Sequence, residues 1–292
     1  MNAAGFSRRA LLCLSAALLP GRAGAAAGLR IVAAENMYGD LASQIGGGFV
    51  SVRSILNNPN QDPHLFAASP AVAIALADAD IVVVNGADYD PWMAGLLAAE
   101  PSRGRVVITV ADLLGRKPGD NPHFWYDPKT APLLGRFLAQ LLARRDPAHA
   151  AAYARNADAL LASLKPISAR IAAMRAEFAG TPVTATEPVY GLMAAALGLT
   201  MRNSVFQTAV MNGTEPGPAE VAAFEDDLRR REVRVLFYNS QVTDDLTRGL
   251  LALARQSGVP VIGVTETEPA GMRYQAWMNA GLNAVERALR AE

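Results

Sequence analysis

From Leu29 onward, short runs rich in β-branched residues alternate with Ala- and Leu-rich helical stretches, and the alternation occurs twice. Strands are expected at Leu29–Ala34, Val50–Leu56, Ile81–Asn85 and Arg105–Val110, with helices such as Pro70–Ala79 between them. After Gly180 the pattern restarts, with strands at Pro182–Ala185, Arg234–Tyr238 and Val259–Val264 and helices at Val189–Leu197, Ala219–Arg230, Asp244–Gln256 and Tyr274–Arg290. Apolar strands separated by helices are the signature of parallel sheets covered on both faces. The expected fold class is therefore α/β, with two lobes that are each a mainly parallel sheet flanked by helices.

Between the lobes the sequence predicts one long linker helix. Asp146 and Pro147 suit its start and Gly180 its end. Tyr153, Ala157, Leu160, Leu164, Ile167, Ile171, Met174 and Phe178 keep a three-four apolar spacing that runs through Pro166 without losing phase, which reads as a kink and not a break. At 1.5 Å per residue such a rod would be roughly 48 Å long. It would limit hinge motion between the lobes.

Residues 1–27 read as a signal peptide: Arg8-Arg9, an apolar run from Ala10 to Leu19, Pro20, then small residues from Ala23 to Ala27. The apolar run is too short to span a bilayer, and Ser7-Arg8-Arg9 leaves a twin-arginine route open. The expected organisation is thus 1–27 signal peptide, 28–145 N-terminal lobe, 146–179 linker helix and 180–292 C-terminal lobe, with a periplasmic destination. The chain's single cysteine, Cys13, falls in the discarded segment, so any metal must be held by His, Asp, Glu and water. Lys plus Arg and Asp plus Glu both number 27, and no basic block interleaves with aromatics, which argues against nucleic-acid binding.

The chain has only three histidines, and two of them, His64 and His123, follow prolines in turns. Neutral imidazole is a leading ligand for first-row transition metals. Ligands of open α/β sheets bind beyond the carboxyl ends of the strands. There the sequence places His64 after the second strand, Glu187 after Pro182–Ala185, and Glu266 and Glu268 after the last strand. Thr-Glu-Pro occurs three times, at Glu187, Glu215 and Glu268, and Glu215 is the one best explained by the charge preference of a helix start. His149 is expected to be a surface residue. Trp92, Trp125, Tyr126, Met193, Met201 and Met211 are expected to pack. Neither a P-loop nor a G-x-S-x-G elbow is present.

Asp62-Pro63-His64 followed by Pro70, the run Ala79–Gly86, and Pro122-His123-Phe124-Trp125-Tyr126-Asp127-Pro128 together resemble the metal-specific solute-binding proteins of ABC importers, the ZnuA/TroA-like or cluster A-I group. The resemblance covers nearly the whole chain after the signal. It implies that His64 and His123 are ligands from the first lobe and that Glu187 is a third, in a place that holds His in many zinc importers and Glu in many manganese importers. It implies Glu268 as the fourth, where the family usually has Asp, with Glu266 as the alternate.

The resemblance further implies a monomeric, non-catalytic protein that takes one divalent ion, manganese, iron or zinc, in the cleft and delivers it to a membrane permease. Two carboxylates binding through one oxygen or two lean towards manganese or iron, although zinc stands above both in intrinsic affinity. A secreted metalloenzyme using two His and a carboxylate, and a metal-dependent surface adhesin, are the alternatives.

Overall fold

The computed structural model describes residues 1, 28–59, 63, 66–242 and 244–291. Residues 2–27, which carry the expected signal peptide, and His64 lie outside the described residues. The first lobe comprises β1 (Leu29–Glu35), α1 (Asn36–Gly46), β2 (Val50–Leu56), α2 (Pro70–Ala77), β3 (Ile81–Val84), α3 (Pro91–Ala99), β4 (Val106–Thr109), α4 (Val110–Leu114) and α5 (Thr130–Arg145). α6 (Ala150–Phe178) leads to the second lobe, built from β5 (Pro182–Ala185), α7 (Gly191–Ala196), β6 (Thr200–Met201), α8 (Ser204–Met211), α9 (Pro218–Arg229), β7 (Leu236–Asn239), α10 (Asp245–Gln256), β8 (Val261–Val264) and α11 (Tyr274–Arg290).

Each lobe holds a four-stranded parallel sheet, ordered β2-β1-β3-β4 and β6-β5-β7-β8. In β1 and β3, alternate side chains are buried on opposite faces. Ile31, Ala33, Ile81 and Val83 enter the main core, while Val32, Ala34, Val82 and Val84 pack beneath α2 and α3. Burial on both faces is why these strands read as continuous apolar runs.

The differences from the sequence expectation have local causes. β3 stops at Val84, one residue early, because the Asp90 carboxylate accepts the backbone N–H groups of Asn85 and Gly86, at 2.8 Å each. β7 runs one residue further, since Asn239 still pairs in register with Val264. The two-residue β6 is too short to carry a periodic signal.

The linker helix is continuous over 29 residues, about 43 Å of rise. It is shorter than expected because Pro147–His149 form a 3₁₀ turn ahead of it. Tyr153, Ala157, Leu160, Leu164, Ile167, Ile171 and Met174 are buried as the spacing predicts. Pro166 lies on the exposed side, so its missing N–H interrupts one backbone bond and leaves the buried stripe intact. Gly180, just beyond the end, takes φ = +82°, a conformation open to glycine at little cost. His149 is at the surface as expected, with Nδ1 2.6 Å from Asp146 Oδ2 and its ring stacked on Phe49.

One hydrophobic cluster spans both lobes, running from Ile31 and Val83 through Leu160 and Ile171 to Val183, Phe237 and Leu282. Along its rim a polar seam follows one face of α1. Asn36, Asp40 and Gln44 recur every four residues and so project from the same side. Asn36 Nδ2 donates to the Glu268 carbonyl (2.7 Å) while its Oδ1 accepts the Glu268 N–H (2.9 Å). Asp40 accepts the Tyr274 N–H, and the Gln44 and Gln275 amides exchange hydrogen bonds. Tyr126 and Tyr274 add hydroxyl bonds to the Thr265 and Trp125 carbonyls. The lobes are joined by more than their linker.

Candidate functional site

The sheets present the carboxyl ends of their strands to a common cleft. His123 enters it from the turn between α4 and α5 and is 1% exposed, flanked edge-on by Tyr89 and Trp125. Asn85 holds this turn in place, its Nδ2 donating to the Pro122 carbonyl and its Oδ1 accepting the Tyr38 hydroxyl. The orientation of the imidazole is fixed by Asn121. Asn121 Nδ2 donates to the Pro188 carbonyl of the second lobe (2.8 Å), so its Oδ1 is the acceptor that faces His123 Nδ1 at 2.7 Å. Nδ1 therefore carries a proton, and Nε2 is the ring atom turned to the cleft.

Nε2 faces a carboxylate. Glu266 Oε2 lies 3.5 Å from His123 Nε2, and Glu266 is fully buried. The Tyr89 hydroxyl donates to the same oxygen at 2.9 Å. Burial and the Glu266 charge raise the Tyr89 pKa well above its ordinary value, so the phenol stays a donor. Gln241 Oε1 accepts the backbone N–H of Glu266 (2.5 Å) and of Thr267 (3.2 Å), which aims the Glu266 side chain into the cleft.

Glu187 follows β5 and is 4% exposed. The Asn239 amide links it to Glu266, with Nδ2 donating to Glu187 Oε2 and to Glu266 Oε1, both at 2.6 Å. A cavity of about 650 Å³ opens beside Glu187, with Glu215, Asp244 and Asp245 around it. Glu215 is exposed and stands before α9, whose N-cap is Gly217. Among the described residues, no three His, Cys, Asp or Glu side chains converge to hold one ion. The described part of the site is the pair His123 and Glu266, with Glu187 tied in through Asn239.

Glu268, expected as the fourth ligand, is placed differently. Its backbone is pinned on both sides by Asn36, and its carboxyl packs near Asp40 and Arg273, with Oε2 buried and lacking a hydrogen-bond partner. The alternate, Glu266, is the one brought to His123. Burial first, then the Asp40 charge, pushes the Glu268 carboxyl up to about 8. A carboxyl raised on folding contributes stability that is full below its unfolded value and is lost as pH rises to the folded one. Between about pH 4.5 and 8 the metal-free protein is thus expected to lose stability that Glu268→Gln does not lose. In thermal melts, the variant's advantage should be absent at pH 4.5 and greatest at pH 8.5, and a constant difference would contradict the assignment.

Tyr89, Asn121, Asn239 and Gln241 were not singled out from sequence. Asn239 could have been, since it stands at the carboxyl end of a strand, where Glu187 and Glu266 drew notice. Trp125, Tyr126 and Met193 are buried packing residues, as expected.

A family model described as the periplasmic zinc-uptake complex component A, ZnuA, matches residues 31–288. The chain is 25% identical over 259 residues to the manganese-binding lipoprotein MntA of Halalkalibacterium halodurans, covering 84% of this chain and 81% of that one. It is 24% identical over 225 residues to the iron-binding protein YfeA of Yersinia pestis, covering 74% and 70%. Among solved structures, the periplasmic zinc-binding protein TroA from Treponema pallidum superposes with a TM-score of 0.75 at 17% identity, over 90% of this chain and 100% of that one. Two parallel-sheet lobes joined by one long helix are common to both.

Proposed function

The chain belongs to the ZnuA family, and on that premise we propose that it captures a single divalent first-row transition-metal ion outside the cytoplasm and hands it to the permease of an ABC importer. Capture is non-covalent, as befits a binding component and not an enzyme, so the metalloenzyme alternative falls away. The adhesin alternative is not favoured, since relatives matched along most of the chain include proteins named as manganese-binding and iron-binding.

The observation that carries the proposal is the His123–Glu266 pair. A lone pair and a carboxylate oxygen, buried face to face, repel each other unless a proton or a cation lies between them. Two donors each about 2.1 Å from a tetrahedral ion are about 3.4 Å apart, and the pair stands at 3.5 Å. In the proposed site Glu187 adds a second carboxylate from the same lobe, and His64, by its place in the Asp62-Pro63-His64 segment, the second imidazole. The acidic residues around the adjoining cavity favour the approach of a cation. A periplasmic monomer exported by its N-terminal segment completes the reading.

Metal analysis of protein purified without chelator, followed by titration with manganese, iron and zinc at buffered free concentration, is expected to give one ion per chain. A chain that binds none of the three at micromolar concentration would refute the proposal.

A further inference from the structure

Asn239 stands between the two glutamates because β7 lies between β5 and β8 in the sheet. It is 1% exposed, and three bonds hold it in one orientation. Its backbone N–H donates to Thr186 Oγ1 (3.2 Å), its Oδ1 accepts the Gln241 N–H (3.0 Å), and its Nδ2 therefore faces the carboxylates. One amide nitrogen with two N–H groups thus engages one oxygen on each of two glutamates, at 2.6 Å apiece.

This arrangement constrains how the carboxylates can meet an ion. The two N–H directions diverge by about 120°, which sets the engaged oxygens, Glu187 Oε2 and Glu266 Oε1, about 4.5 Å apart. Neighbouring donors to one first-row ion stand closer, about 3.0–3.4 Å apart, so these two oxygens cannot take neighbouring positions on one ion. While the amide bonds persist, one acceptor site on each engaged oxygen is taken, and the other oxygen of each glutamate is the one better placed to meet an ion. On Glu266 that oxygen is Oε2, the one facing His123 Nε2.

We infer that Asn239 is a specificity-determining residue: it biases Glu187 and Glu266 towards one-oxygen ligation and so favours a four-coordinate cation over one that needs five or six donors. The inference rests on the metal-capture reading and deepens it. Low coordination with imidazole and carboxylate donors is the preference of zinc, whereas manganese and ferrous iron gain from two-oxygen carboxylates. The lean towards manganese or iron drawn from the glutamates alone assumed that both oxygens were available, and Asn239 acts against that.

The test compares the wild-type protein with Asn239→Ala and Asn239→Leu, the second of which keeps most of the bulk and removes both donors. Manganese and zinc affinities are measured by competition with a chelating indicator, and the coordination number of each bound ion by X-ray absorption. The expected result is a manganese-to-zinc affinity ratio raised about tenfold or more in both variants, with four donors around zinc in the wild type and more around manganese in the variants. If neither folds, Asn239→Ser, which retains one donor, is expected to move the ratio the same way by a smaller factor. A ratio unchanged within about twofold, even with both affinities lowered, would overturn the role of Asn239 and leave metal capture standing. A wild-type protein that binds neither ion would overturn both.

Discussion

His123→Ala is expected to lower affinity for manganese and zinc alike by at least about 100-fold, more than the 10- to 100-fold typical of residues that only support a ligand. The side chain is 1% exposed and its Nε2 faces Glu266, so truncation removes a donor and leaves a buried void. Some loss of stability is expected from the void, about 1–3 kcal/mol. That loss is separable from the loss of binding by comparing thermal melts of the metal-free proteins with isothermal titrations in the folded range. A variant that still binds one ion with wild-type affinity would remove His123 from the site.

The second large effect distinguishes two glutamates separated by a single residue. Glu266→Gln preserves shape but replaces the charge that faces His123, and affinity is expected to fall about 100-fold or more, since a buried ligand carboxylate is lost. Glu268→Gln is expected to change affinity by less than about threefold, because the charges its carboxyl feels are those of Asp40 and Arg273, whereas Glu266 is the carboxylate beside His123. Titrations of the two variants with zinc decide the matter. The opposite order would restore Glu268 as the ligand and require the segment after β8 to rearrange on binding.

The architecture was legible from sequence for a simple reason. Parallel strands buried on both faces carry unbroken apolar runs, and a helix lying across a core carries a long three-four stripe, so seven of the eight strands among the described residues and the 29-residue helix announce themselves. The site was legible in part. His123 is conspicuous as one of three histidines, set after a proline in a turn, and Glu187 and Glu266 because charged residues at strand ends are costly to bury without purpose. The choice between Glu266 and Glu268 was not legible, since it depends on which backbone Asn36 pins and which Gln241 pins, contacts reaching 232 and 25 residues along the chain. Asn121 and Asn239 escaped notice for a related reason. A neutral amide is unremarkable in a sequence, and its meaning lies wholly in what it bridges.

Asn121 also bears on how a captured ion is let go. Its amide reads the first lobe with one end and the second with the other, accepting from His123 Nδ1 and donating to the Pro188 carbonyl. A separation of the lobes by an ångström or so would break the second of these bonds, while Asn121 Oδ1 would still accept both the Nδ1 proton and the His123 backbone N–H (3.1 Å). The turn that carries His123 would then be held from the first lobe alone, and the distance from Nε2 to Glu266 would no longer be set from both sides. Lobe separation thus acts on an ion by parting its donors and not by altering them.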